Sequence, residues 1–141
     1  MSYKNNMKIQ FLNKSANEGF ARVAAAAFVS QLDVTVEQLA DIKTAVSEAV
    51  TNSIVHGYEG MTGYITLECE IDDETVTITV TDSGRGISDI KLARRPLYTS
   101  RPELERSGMG FTVMETFMDS VEVTSSLGIG TTVKMTKKLQ G

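Results

Sequence analysis

A single cysteine and a single histidine are spread over 141 residues, and neither end nor middle carries a long apolar run. Each scarcity excludes a class of function. Cys69 has no second cysteine to pair with, so no internal disulfide can form, and a reducing compartment, the cytoplasm, is expected. His56 and Cys69 cannot by themselves make the Cys/His tetrad of a zinc site. Met1 to Asn13 is interrupted by Lys4, Asn5, Asn6 and Lys8, so neither a signal peptide nor a membrane span is expected. Positive charge is also short: the net charge is -4 and the pI is near 5.0, against a chain that binds nucleic acid directly. The familiar nucleotide and hydrolase signatures are missing. There is no Gly-x4-Gly-Lys-Ser/Thr, no Gly-x-Gly-x-x-Gly after a strand, no His-Glu-x-x-His and no Gly-x-Ser-x-Gly. The His-Arg-Asp and Asp-Phe-Gly pair of ordinary protein kinases is missing too.

What is present fits one domain spanning residues 1–141, with 41% hydrophobic residues, enough for one core. Ile9 and Phe11 alternate with Lys8 and Gln10, which predicts a short opening strand. Ser15 with Glu18 has the form of a capping box, and Phe20, Val23, Ala24, Ala27 and Phe28 then fall on one helical face. Thr35 with Gln38 marks a second helix start, with Val34 and Leu39 at the staple positions. Leu39, Ile42, Val46, Val50 and Ile54 form its apolar stripe, and Gly57 its stop. Ile65, Leu67, Cys69 and Ile71, then Val76, Ile78 and Val80, repeat with period two around the Asp72-Asp73-Glu74 turn, as a hairpin does. Ser83 to Ser107 loses periodicity and reads as a long loop with at most a short helix near Ile90; about 87–107 would be a lid. Gly108 to Met118 reads as a helix, followed by a hairpin of Val121–Ser125 and Thr132–Thr136 around Leu127-Gly128-Ile129-Gly130. The expected fold is α+β, a largely antiparallel sheet with helices on one face.

Four clusters carry chemistry. On the second helix, Glu48 and Asn52 are four apart and project from the same side. An Asn carboxamide oxygen suits magnesium, which takes most of its other ligands from water and phosphates, and a carboxylate one turn away can take a proton from an attacking hydroxyl. Asp82-Ser83-Gly84-Arg85-Gly86 follows the strand that ends at Val80. Its carboxylate can accept the exocyclic amine of adenine, although Asp-Ser-Gly is also ordinary turn chemistry. Ser107-Gly108-Met109-Gly110-Phe111 opens a helix, where unpaired backbone N–H groups receive anions. Gly128-Ile129-Gly130-Thr131-Thr132 is by itself a hairpin turn. Lys91, Arg94, Arg95 and Arg101 add positive charge to the loop, as a solvated face or as counter-charge for a triphosphate or an acidic partner. His56 suits a helix end, and Cys69 an apolar core face.

The succession of the four clusters resembles the GHKL ATPase superfamily of gyrases, sensor histidine kinases and their relatives. Ser47 through Tyr58 and Arg106 through Phe111 are similar, within it, to the anti-sigma F factors of spore-forming bacteria, as are Phe20-Ala21-Arg22-Val23 and Pro102-Glu103-Leu104-Glu105. The resemblance covers nearly the whole chain. It implies a GHKL-type ATP-binding sandwich with a lid, and a homodimeric protein-serine kinase that binds a sigma factor of the sigma F kind. The kinase's substrate would be a serine of an anti-anti-sigma factor. By position, it implies ATP and magnesium as cofactors, with Asn52 as the magnesium ligand and Glu48 as the catalytic base. Asp82, Gly84, Gly86 and Thr131 would hold adenine, Gly108 and Gly110 would meet the phosphates, and Arg106 would reach the terminal phosphate. Arg22 would lie on the partner-binding surface. The resemblance assigns nothing to Ser53, Val55, Ser83 or Arg85. Two further readings share these motifs: a stress-response anti-sigma kinase, and a nucleotide-gated sequestering module with little transfer. Glu48 separates the last from a kinase, because sequestration needs no base.

Overall fold

A computed structural model describes residues 3–58, 61–84 and 110–139. In chain order these form β1 (Lys4–Leu12), α1 (Ala16–Val29), α2 (Val36–Asn52), a π-helical turn (Ser53–Gly57), β2 (Tyr64–Asp72) and β3 (Thr75–Asp82). Then come α3 (Gly110–Phe117), β4 (Ser120–Ser126) and β5 (Gly130–Lys138). The five strands make one sheet in the order β1-β2-β3-β5-β4, and every neighbouring pair is antiparallel. The expected α+β sandwich is therefore the observed one. The region expected to be a lid falls outside the described residues.

The period-two runs form strands because each places one apolar set on the face that the helices cover. Ile65, Leu67, Cys69 and Ile71 of β2 and Val76, Ile78 and Val80 of β3 are buried, and the threonines of β3 occupy the opposite face. β2 and β3 are joined across Asp73 and Glu74. Asp73 has φ 55, a left-handed conformation that Asp tolerates better than most residues. Ile42, Val46 and Val50 of α2 enter the same core, and α2 packs against both α1 and α3. The start of α2 is a complete capping box, in which Thr35 Oγ1 accepts the Gln38 N–H at 3.0 Å and Gln38 Oε1 accepts the Thr35 N–H at 3.1 Å. No helix among the described residues is long and apolar enough to cross a membrane.

The sequence reading of α1 needs two corrections. Ser15 is already helical and its side chain makes no cap bond. Glu18 instead accepts a hydrogen bond from the Ser47 hydroxyl at 2.9 Å and pairs with Arg22 at 3.4 Å. The carboxylate gains more from a hydroxyl on α2 and a guanidinium one turn on than from a single local N–H. The buried face is also not the one with the largest apolar residues: Ala21, Ala25 and Val29 are buried, whereas Phe20 is 55% and Val23 60% exposed. Small residues let α1 approach closely. Phe20 lies edge-on to Phe11, ring centroids 6.4 Å apart, at the margin of the core. At the end of α2, winding does continue to Gly57 as expected, but the α-helix stops at Asn52 and the last five residues form a wider π turn.

Candidate functional site

The α-helix of α2 delivers Glu48 and Asn52 to one side, and the π turn that follows delivers Ser53 and Gly57 toward the end of β3. Such turns within helices recur where side chains must be re-aimed at functional sites. Asp82 sits at that strand end, 4% exposed, beside Ile65 of β2 and Thr131 of β5 in the sheet register. Ser53 Oγ donates to Asp82 Oδ2 at 2.9 Å, and the Gly84 N–H donates to Oδ1 at 3.0 Å. Burial pushes the Asp82 carboxyl above its ordinary value, while hydrogen bonds from Gly84, Ser53 and the Thr131 backbone pull the other way.

Glycines make this enclosure possible. A Cβ on Gly57 would lie 3.0 Å from Asp82 Cγ, and one on Gly84 would lie 1.9 Å from the Gly57 carbonyl oxygen. A Cβ on Gly130 would lie 2.1 Å from the Asp82 carbonyl oxygen, and Gly130 has φ +143. The π turn therefore meets the Asp82 carboxylate, the Gly84 loop meets the π turn and the Gly130 turn meets the Asp82 backbone, all at close range. Tyr58 fastens the rim: its hydroxyl donates to the Tyr64 carbonyl at 2.6 Å and accepts the Ser83 N–H at 2.8 Å. Thr131 is buried, with its hydroxyl 2.9 Å from that of Ser125.

Glu48 faces the start of α3, where a Cβ on Gly110 would come within 3.5 Å of Glu48 Oε2. Its other side borders an open groove of about 420 Å³ between α1 and α2, lined also by Arg22, Val23, Lys43, Thr44 and Ser47. Asn52 is half-buried, and its carboxamide takes no hydrogen-bond partner among the described residues. A neutral oxygen so placed, one turn from a carboxylate, fits magnesium, which needs only one or two protein ligands beside substrate phosphates.

The structure thus brings Asp82, Gly84 and Thr131 together at one end, and Glu48, Gly110 and Arg22 at the other, with Asn52 between them on α2. Gly86, Arg106 and Gly108 lie outside the described residues. Sequence reasoning assigned nothing to Ser53, although it is a buried polar residue bonded to Asp82. It also took Gly57 for a helix stop and passed over Tyr58. The residue types gave little signal, since a serine after a helical Asn is ordinary. Only the π winding turns it toward β3.

The model of the histidine kinase-like ATPase domain family, an ATP-binding family, matches residues 12–137. An anti-sigma F factor of Clostridium botulinum (strain Eklund 17B / Type B) is 61% identical over 137 residues, covering 96% of each chain. That of Clostridium beijerinckii is 62% identical over 135 residues, covering 95% of this chain and 94% of its own. In three dimensions the chain is similar to the structure of the RsbU and RsbW domains of Rv1364c from Mycobacterium tuberculosis. The TM-score is 0.70 at 20% identity, over 96% of this chain and 32% of that longer one.

Proposed function

The chain belongs to the anti-sigma F factors, within the histidine kinase-like ATPase domains, and we propose that it is a protein-serine kinase that also holds a sigma factor of the sigma F kind. The observation that carries this reading is the groove that Arg22 and Glu48 share. One wall offers a guanidinium to a protein partner, and the other ends on a carboxylate placed to receive a proton. A serine hydroxyl of an anti-anti-sigma factor entering there gives its proton to Glu48. Its oxygen forms a bond to the terminal phosphorus of ATP while the bond to the leaving ADP breaks. Asp82, Gly84, Gly86 and Thr131 hold adenine; Gly108 and Gly110 offer backbone N–H groups to the phosphates; and Arg106 meets the terminal phosphate, which ADP lacks. Asn52 holds magnesium, which supplies counter-charge to the phosphates when bound. The chain works as a homodimer in the cytoplasm, where a sigma factor meets RNA polymerase.

The test is Arg22→Ala. Arg22 lines the groove with Glu48, but among the described residues its ion-pair partner is Glu18, so ATP affinity should stay within about twofold of wild type. Sigma-factor binding and phosphorylation of the anti-anti-sigma serine should both fall about tenfold or more, as for a charged interface anchor. Unchanged partner binding and transfer would remove the groove as the docking surface.

A further inference from the structure

The enclosure of Asp82 leaves open what keeps a buried carboxylate ready to read a base. Ser53 answers this by position. It is 4% exposed, it belongs to the π turn rather than to the Asp82 loop, and its hydroxyl is 2.9 Å from Asp82 Oδ2. We infer that Ser53 is a positioning residue that holds Asp82 as an acceptor and so makes the nucleobase site prefer a 6-amino purine over a 6-oxo purine. This rests on the reading of Asp82 as the adenine acceptor.

The chemistry follows from the donors around the carboxylate. Gly84 and Thr131 present backbone N–H groups, and Ser53 presents an O–H. An ionised carboxylate has about four lone-pair sites and no donor, so the bonds from Ser53 and Gly84 leave it room for the amine of adenine. A protonated carboxyl would turn an O–H toward the base and suit an oxo group instead. Removing the Ser53 hydroxyl takes away one bond that favours the charged form, without changing the burial that opposes it. Among the described residues no second hydroxyl bonds to Oδ2. β2 presents Ile65 in register, β5 presents Thr131, and the π turn presents Ser53 and Gly57. Among the described residues, the titratable side chains on the π turn and its end are His56 and Tyr58, whose hydroxyl is already committed to Tyr64 and Ser83. Among the described residues the influences on Asp82 ionisation are burial and hydrogen bonds, with no charged side chain.

The experiment measures affinity for ATP and for inosine triphosphate, which has an oxo group in place of the amine, across pH 5 to 8. Ser53→Ala should bind ATP about tenfold more weakly at neutral pH, the low end for losing a hydrogen bond to a charged group. Its ATP preference over inosine triphosphate should shrink, and the pH below which ATP binding is lost should rise by about one unit. Ser53→Thr, which keeps the hydroxyl, should restore both readouts. Ser53→Cys, close in shape but a weak donor, should follow alanine and serves where alanine lowers the melting temperature too far. A Ser53→Ala or Ser53→Cys protein that folds and keeps the wild-type base preference and pH midpoint overturns the inference. Asp82→Asn separates the two failures. If it binds ATP as wild type does, the adenine reading of Asp82 falls; if it loses ATP while the Ser53 variants behave as wild type, only the role of Ser53 falls.

Discussion

Asp82 and Glu48 are the two carboxylates of the proposed site, and the fold surrounds them in opposite ways. Asp82 is 4% exposed, accepts hydrogen bonds from Ser53 on the π turn and from Gly84 in its own loop, and lies where Gly57, Gly84 and Gly130 allow close packing. Glu48 is half-buried on the wall of an open groove, with a polar neighbour in Ser47 and cations in Arg22 and Lys43. A base that recognises a small rigid ring gains from fixed geometry, because donors already in place need no ordering on binding. A base that serves another protein's hydroxyl must stay reachable. On the proposed reading, the enclosed end suits recognition and the open end suits access.

The comparison breaks most sharply at Glu48. Glu48→Gln keeps the shape and removes the base, so phosphoryl transfer in single turnover should slow by about 10²- to 10⁴-fold with ATP affinity nearly intact. Transfer within a few-fold of wild type would mean that Glu48 is not the base. At the enclosed end, Gly84→Ala puts a Cβ 1.9 Å from the Gly57 carbonyl oxygen, a backbone atom that cannot swing away. Overpacking should cost about 2–3 kcal/mol of stability, read by thermal melting, and the displaced backbone should weaken ATP binding, read by calorimetry. Gly128→Ala is the control: its φ is +80 but nothing lies within 4 Å, so it should lose about 1 kcal/mol of stability and no ATP affinity.

Smaller effects sharpen the boundary between the ends. Asn52→Ala removes a neutral oxygen and should weaken magnesium-ATP about tenfold while leaving metal-free ATP within twofold. Equal losses in both would make Asn52 a support for the fold. The last expectation concerns pH. Burial raises the folded-state pKa of Asp82 above its unfolded value, so its contribution to stability is full at low pH and is lost as pH rises through the raised value. Lowering the pH from neutral through that raised value should stabilise the nucleotide-free wild type relative to Asp82→Asn, while its ATP affinity declines. Parallel melting curves of the two proteins against pH would show no such approach if Asp82 titrates normally.

Much of the architecture was legible because it depends on local patterns. The strands followed from period two, the start of α2 from its capping box, and the pairing of Glu48 with Asn52 from their spacing of four. On α1 the same kind of reasoning chose the wrong face. Phe20 and Val23 outweigh alanines on any scale of hydrophobicity, yet the interface with α2 selected Ala21 and Ala25 for how closely they allow two backbones to approach. Ser15 and Glu18 matched a cap pattern whose acidic member was claimed by Ser47 and Arg22.

The sequence by itself determined which residues could do chemistry, and in what order along the chain, because residue type and short spacing fix donor, acceptor and helical face. Only the tertiary structure decided which of them meet. The π turn after Asn52 brings Ser53 and Gly57 against Asp82, 29 positions away from Ser53, and β5 brings Thr131 to the same carboxylate. No local pattern encodes that meeting, because it depends on how closely a helix end, a strand end and a hairpin can pack, and that limit is set by side chains the glycines lack.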